Sequence, residues 1–175
     1  MVIPGIGEIV PDRFGWYRSK AIPVPLFGGQ LCHILLENYV ADTCKVDFHN
    51  AIDNFLAATP SVLLAASESL FRYYKDFEVL CLEEGQQPIE SIDDIWNHVQ
   101  FGNEPIVRRR VHGDRGVYMS IECECTWEPE HGLELVLKNG QMVTKLGQYD
   151  GHLSNADAFD NPAFEQVIYV KHADM

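Results

Sequence analysis

Residues 117–127 read VYMSIECECTW, and their alternation constrains the fold more than any other feature of the chain. Val117, Met119, Ile121, Cys123, Cys125 and Trp127 alternate with Tyr118, Ser120, Glu122, Glu124 and Thr126. A period of two sustained over eleven residues is that of a β-strand with one face in a core and one toward water, whereas a helix would scatter the glutamates around its axis. Beyond the break at 128–132 come LELVLK, then Asn139-Gly140, then QMVTKL. Asn-Gly between two apolar runs specifies a tight hairpin, because both residues tolerate positive φ. A two-residue turn pairs Lys138 with Gln141, Leu137 with Met142, Leu135 with Thr144 and Leu133 with Leu146. It sets Leu133, Leu135 and Leu137 toward the core and Glu134 opposite Lys145.

The flanking segments complete an α+β reading. Short strands are expected at Gly7–Val10 and Phe14–Tyr17, then at Ala21–Leu26 and Leu31–Glu37 on either side of Gly28-Gly29. Pro23 and Pro25 lack an N–H and lie two apart, which places both on an edge strand and favours a four-residue loop, Phe27 to Gln30. Asp47 is expected to cap a helix with Phe48, Ile52 and Phe55 on one face, and Thr59-Pro60 to open a second carrying Val62, Ala66, Leu70, Tyr73 and Phe77. Ser91 and Asp94 resemble a capping pair for a short helix through Trp96 and Val99. Ile106–Val111 reads as a strand in which Arg108, Arg109 and Arg110 alternate faces and pair with Glu122 or Glu124. The expected fold is one α+β domain over residues 1–175, a mainly antiparallel sheet with the helical segment of about 47–77 packed against it. The early Gly-Gly turn and the Asn-Gly hairpin argue against a parallel sheet.

Charge narrows the function classes. Twenty-six acidic against thirteen basic residues give a net charge of −13 in 175 residues, so nucleic acid and anionic membrane surfaces are unfavourable partners and a basic protein is a favourable one. No signal sequence and no membrane-length apolar run is present, and five cysteines mostly within apolar patterns suit reduced, buried thiols; a cytoplasmic location is expected.

Connectivity locates the candidate surface. The WEPEHG loop after the organising strand and the segment Gln148–His152 after the hairpin should emerge at one end of the sheet, so Trp127, Glu128, Glu130, His131, Tyr149, Asp150 and His152 form a candidate binding rim. His131 beside Asp150 would make a base oriented by a carboxylate, with Glu128 or Glu130 as an acid, although no nucleophile accompanies them. Solvated turns also carry such residues, and shaping of the loop is the plainer role for His131. Cys123 and Cys125 share a face and with His131 could offer soft metal ligands; two small core residues is the simpler reading. No metal set and no cofactor is expected, and G-x-S-x-G, H-E-x-x-H and a Gly-rich phosphate loop before a helix are all missing.

Trp127-Glu128-Pro129-Glu130-His131-Gly132-Leu133, the Asn-Gly hairpin, Tyr149-Asp150-Gly151-His152 and the early GWYRSKAIPVPLFGG segment resemble bacterial domain-of-unknown-function proteins that share a W-x-x-E-H-G-L signature. The resemblance covers most of the chain and implies a relation to immunity-type proteins encoded near toxins. It carries no catalytic residue across. The leading expectation is a non-catalytic interaction module, immunity-like, for a basic toxin partner; the alternative is a hydrolase using the His/Asp/Glu rim, with or without a metal.

Overall fold

A computed structural model describes residues 1–171. Nine strands form a mostly antiparallel sheet: β1 (Val2–Ile3), β2 (Gly7–Pro11), β3 (Tyr17–Val24), β4 (Gln30–Leu36), β5 (Val99–Phe101), β6 (Ile106–Arg109), β7 (Val117–Cys125), β8 (Leu133–Lys138) and β9 (Met142–Gly147). Their spatial order is β1-β2-β3-β4-β6-β7-β8-β9, and β5 pairs with the far half of β7, beyond β6. The α+β expectation holds, with one refinement. β4 and β6 run parallel, Leu35 against Ile106 and Leu36 against Val107, while the other described pairs are antiparallel. Parallel neighbours need a long crossover, and the helices supply it.

Those helices are α1 (Lys45–Ala57), α2 (Ser61–Leu64) and α3 (Ser67–Glu83). Phe48, Ala51, Ile52 and Phe55 of α1 and Leu70, Tyr73 and Tyr74 of α3 are buried, as is the row Val117, Met119, Ile121, Cys123 and Cys125 of β7 and Leu133, Leu135 and Leu137 of β8. Each large aliphatic or aromatic side chain in that interface contributes about 1.5–3 kcal/mol. Polar contacts fix the seating: Tyr73 donates to the Gly132 carbonyl (2.8 Å) and Asn54 Nδ2 to the Asn139 carbonyl (3.0 Å).

Several local expectations are corrected. Helix α1 begins at Lys45, so Asp47 is not its cap; it lies in the first turn, where a carboxylate suits the positive helix end, and accepts from Arg109 Nη2 at 2.8 Å. The helix expected from Pro60 is interrupted at Ala65-Ala66. β3 ends at Val24 and Pro25 opens a short 3-10 turn, Pro25–Phe27, so Pro25 is outside the ladder. Pro23 pairs with Leu31, but β2 reaches only residues 17–19 of β3, which leaves Pro23 where its strand has no second neighbour. The Ser91 hydroxyl caps a 3-10 helix over Ile92–His98, and Val99 begins strand β5.

The hairpin register also differs. Lys138 pairs with Met142, Leu137 with Val143 and Leu135 with Leu146, with an irregularity between Val136 and Leu137. The turn uses three residues, with φ of 50° at Asn139 and 69° at Gly140, and a bulge around Thr144 takes up one more. Lys145 therefore sits opposite Val136, yet its ammonium still reaches Glu134 at 2.7 Å. Nor is the second sheet face uniformly wet: Tyr118, Ser120, Glu134, Val136 and Lys145 are buried, and Leu153 of the following chain packs with Tyr118 and Val136. The chain after β9 crosses that face, forms α4 (Asn155–Ala158), and then runs beside β9, where the Leu146 amide donates to the Ile168 carbonyl (2.8 Å).

Candidate functional site

The outer sheet face, opposite the helices, is where charge collects. On β7 and β8, Glu122 stands directly across from Glu134, a like-charge pairing that opposes folding unless it is compensated. Compensation is local to Glu134. Its carboxylate accepts from Ser120 Oγ (2.7 Å) and Lys145 Nζ (2.7 Å), and Lys145 also donates to Asp150 (2.8 Å). Glu134 and Lys145 are both fully buried. Asp150 accepts in addition from the His152 amide at 2.7 Å and lies 3.2 Å from His152 Nδ1. Burial pushes the Asp150 carboxyl up, but Lys145 and the His152 amide together hold it below the ordinary carboxylate value.

The seven expected rim residues divide into three environments. Trp127 is buried on the helix side, its ring against Tyr73 and Tyr74 with centroids at 5.7 and 5.9 Å. Glu128 is buried as well and organises its own loop, accepting from the amides of Glu130 (2.9 Å) and His131 (3.3 Å), from Gln148 Nε2 (2.7 Å) and from His131 Nδ1 (3.0 Å). Burial raises its carboxyl, and those donors overcome burial and hold it low. An ionised carboxylate can only accept, so the His131 Nδ1 carries a proton, and in the neutral ring Nε2 keeps the lone pair. The His131 side chain is 57% exposed. The expected pairing of His131 with Asp150 is thus replaced: Glu128 is the orienting carboxylate, and Asp150 with His152 belongs to the Lys145 network. The Tyr149 amide joins the two loops at the His131 carbonyl (3.4 Å).

Beside these loops a groove of about 600 Å³ runs over the outer face. Glu122 and Glu124 of β7, Glu130 and His131 of the loop, Phe101 of β5, Phe14 and Trp16 of the β2–β3 turn, and Tyr149 all line it. The side-chain carboxylates of Glu122, Glu124 and Glu130 have no hydrogen-bond or ion-pair partner among the described residues. The arginines expected to neutralise Glu122 and Glu124 are engaged elsewhere: Arg108 with Glu37 (3.6 Å) and the Gly151 carbonyl (2.6 Å), Arg109 with Asp42 (2.6 Å) and Asp47, and Arg110 with Asp157 (2.7 Å) and Glu165. Burial raises the Tyr149 hydroxyl and the nearby Glu134 and Glu122 add to the effect, so it stays a donor at neutral pH.

Phe14, Trp16, Phe101, Glu122 and Glu124 are lining residues that sequence reasoning did not assign to a site. The alternation of β7 already exposed the two glutamates; the approach of the β2–β3 turn depends on strand order, which no local pattern announces. The cysteines point elsewhere. Cys123 Sγ donates to the Ile121 carbonyl and Cys125 Sγ to that of Glu128, both at 3.7 Å, and burial pushes both thiols up, Cys125 to about 12. Such thiols are poor nucleophiles and poor ligands at neutral pH. Among the described residues no three His, Cys, Asp or Glu side chains are grouped to hold a metal ion, and no helix is long and apolar enough to cross a membrane.

No curated protein and no solved structure matches the chain. Residues 5–153, which hold β2 to β9, the WEPEHG loop and the Tyr149–His152 turn, match the family described as Domain of unknown function (DUF6985), and the chain belongs to that family.

Proposed function

We propose that this chain is a non-catalytic interaction module that seats a basic segment of a protein partner in the outer-face groove, in the manner of an immunity-type protein that masks a basic toxin. The observation that carries the reading is the set of unpaired carboxylates at Glu122, Glu124 and Glu130 beside exposed aromatic surface. Lysine and arginine side chains meet both needs, a carboxylate for the charge and a ring face for the guanidinium or the stem. The Glu122–Glu134 register pair supports it further, since a like-charge contact that weakens the fold is retained where an incoming cation relieves it.

Glu122→Gln with Glu124→Gln tests this. A lysine- and arginine-rich peptide should bind the native protein at low salt, weaken as salt is raised, and bind the double variant at least about tenfold more weakly. The same variant should unfold at an equal or slightly higher temperature, because repulsion with Glu134 is gone. Undiminished binding in the double variant, or no binding of any basic peptide at low salt, would overturn the proposal.

The Glu128–His131 pair supports a second reading, a hydrolase in which Nε2 takes a proton from water at the groove wall. Among the described residues lining the groove, neither a serine hydroxyl nor a thiol stands ready as nucleophile, since Ser120 Oγ donates to Glu134 and the Cys123 thiol is buried. Turnover of an ester or phosphoester substrate that His131→Ala abolishes would favour it over the interaction module.

A further inference from the structure

The buried polar network of the outer face contains one contact that neither reading of the groove uses. Lys145 and Glu134 are fully buried and Asp150 largely so, and Lys145 Nζ stands 2.7 Å from Glu134 Oε2 and 2.8 Å from Asp150 Oδ1. Their surroundings are apolar: Val136, opposite Lys145 in register, is buried together with Tyr118 and Leu153. One ammonium thus faces two carboxylates away from water. Glu134 is well supplied, with Ser120 Oγ at 2.7 Å and Arg108 Nη2 at 3.9 Å in addition. Asp150 is not. Its Oδ1 takes both the ammonium and the His152 amide (2.7 Å), while its Oδ2 is buried with no hydrogen-bond donor. A buried anionic oxygen without a donor is costly.

We propose that Lys145 and Asp150 condense to an intramolecular isopeptide bond, with Glu134 as the proton carrier. Glu134 takes a proton from the Lys145 ammonium, the freed Nζ attacks Asp150 Cγ, and the charge that develops on Oδ1 is met by the His152 amide, a donor already at 2.7 Å. The Nζ–Cγ bond forms, the Cγ–Oδ2 bond breaks, and the two protons that Nζ loses leave with Oδ2 as water, the first by way of Glu134. No oxidant, reductant or cofactor enters. The resting pair is ionic, as the lowered Asp150 carboxyl requires, so the neutral amine and acid that react are a minor form and the bond should form slowly.

Two effects drive a condensation that is unfavourable in open water. Holding the amine against the carboxyl substitutes for an effective concentration on the order of 10⁵ M or more, and the product replaces two buried charges by a neutral amide, which removes their desolvation cost. The bond closes a ring from β9 across residues 146–149 and so fixes Tyr149 beside the groove. It is independent of what the groove binds, and its failure would leave the interaction proposal untouched.

Intact-mass spectrometry under denaturing conditions, before and after prolonged incubation of the chain at neutral pH, tests it. The folded chain should lose the mass of one water, and trypsin should no longer cut after Lys145, giving a single peptide over 139–171 that lacks that water. The chain incubated in urea should keep its full mass. Glu134→Gln, with its fold verified by circular dichroism, should slow the loss at least about a hundredfold; the native-chain readings decide whether or not that variant folds. Asp150 precedes Gly151, and a succinimide between those two also sheds one water, but it leaves Lys145 open to trypsin. That cleavage pattern, a full mass in the folded chain after incubation, or an equal loss in urea or in folded Glu134→Gln would each overturn the proposal.

Discussion

Glu128 leaves none of its charge open to the groove, because its oxygens are engaged by donors of its own loop and of Gln148. Its folded carboxyl is held below the ordinary 4.5, so the stability it contributes is complete above about pH 5 and is lost as the pH falls through the folded value. Glu128→Gln should lower stability by about 2 kcal/mol at pH 7, with the difference from the native chain closing below pH 4.5; urea unfolding at several pH values measures both. His131, with its exposed ring, should tolerate Ala at under about 1 kcal/mol, so an effect on binding or turnover there would report function and not folding. Lys145 is the opposite case. Lys145→Met strands the buried Glu134 charge and should cost about 3–5 kcal/mol. Adding Glu134→Leu should restore part of that loss, and a thermal melt in which the single variant matched the native chain would refute the buried pair.

At the scale of elements, the strands and helices that local pattern can specify were legible. β7, the β8–β9 hairpin and the buried face of α1 follow from apolar spacing, since burial alone dictates those positions. Register was not, because a one-residue bulge near Thr144 and a three-residue turn are decided by packing of the hairpin tip. The reason is visible at Gly140: at φ of 69° a Cβ there would run into the Ala51 carbonyl of α1. The tip is thus clamped against a helix some ninety residues earlier in the chain, which no local pattern reveals. Gly140→Ala should therefore cost about 2–4 kcal/mol, combining left-handed strain with a backbone clash. A denaturant midpoint close to that of the native chain would show that the hairpin tip is not so clamped. The two loops of the rim were placed at one sheet end by the same pattern reasoning, but their side-chain partners were not, since Asp150 or Glu128 could each have oriented His131 until Lys145 was located.

Across the whole molecule, Arg110 decides how the chain after β9 is held. It is 3% exposed, takes two hydrogen bonds from its guanidinium to Asp157 and two to Glu165, and so anchors residues 155–165 over the outer face. From there the chain continues to Ile168, whose carbonyl accepts the Leu146 amide of β9, and to Tyr169, whose hydroxyl donates to Asp76 of α3 at 2.7 Å. A segment held by one buried arginine at one end and by a sheet edge at the other should loosen as a unit. Arg110→Met leaves Asp157 and Glu165 without their cation and should destabilise the chain by about 3–5 kcal/mol. Most of that loss should appear locally. Hydrogen exchange at the Leu146 amide should accelerate far more than at the β7–β8 amides, whose partners lie inside the sheet. Uniform acceleration across β7, β8 and β9 would instead make Arg110 part of the global core, and unchanged exchange at Leu146 would mean the segment is held along β9 without its arginine anchor.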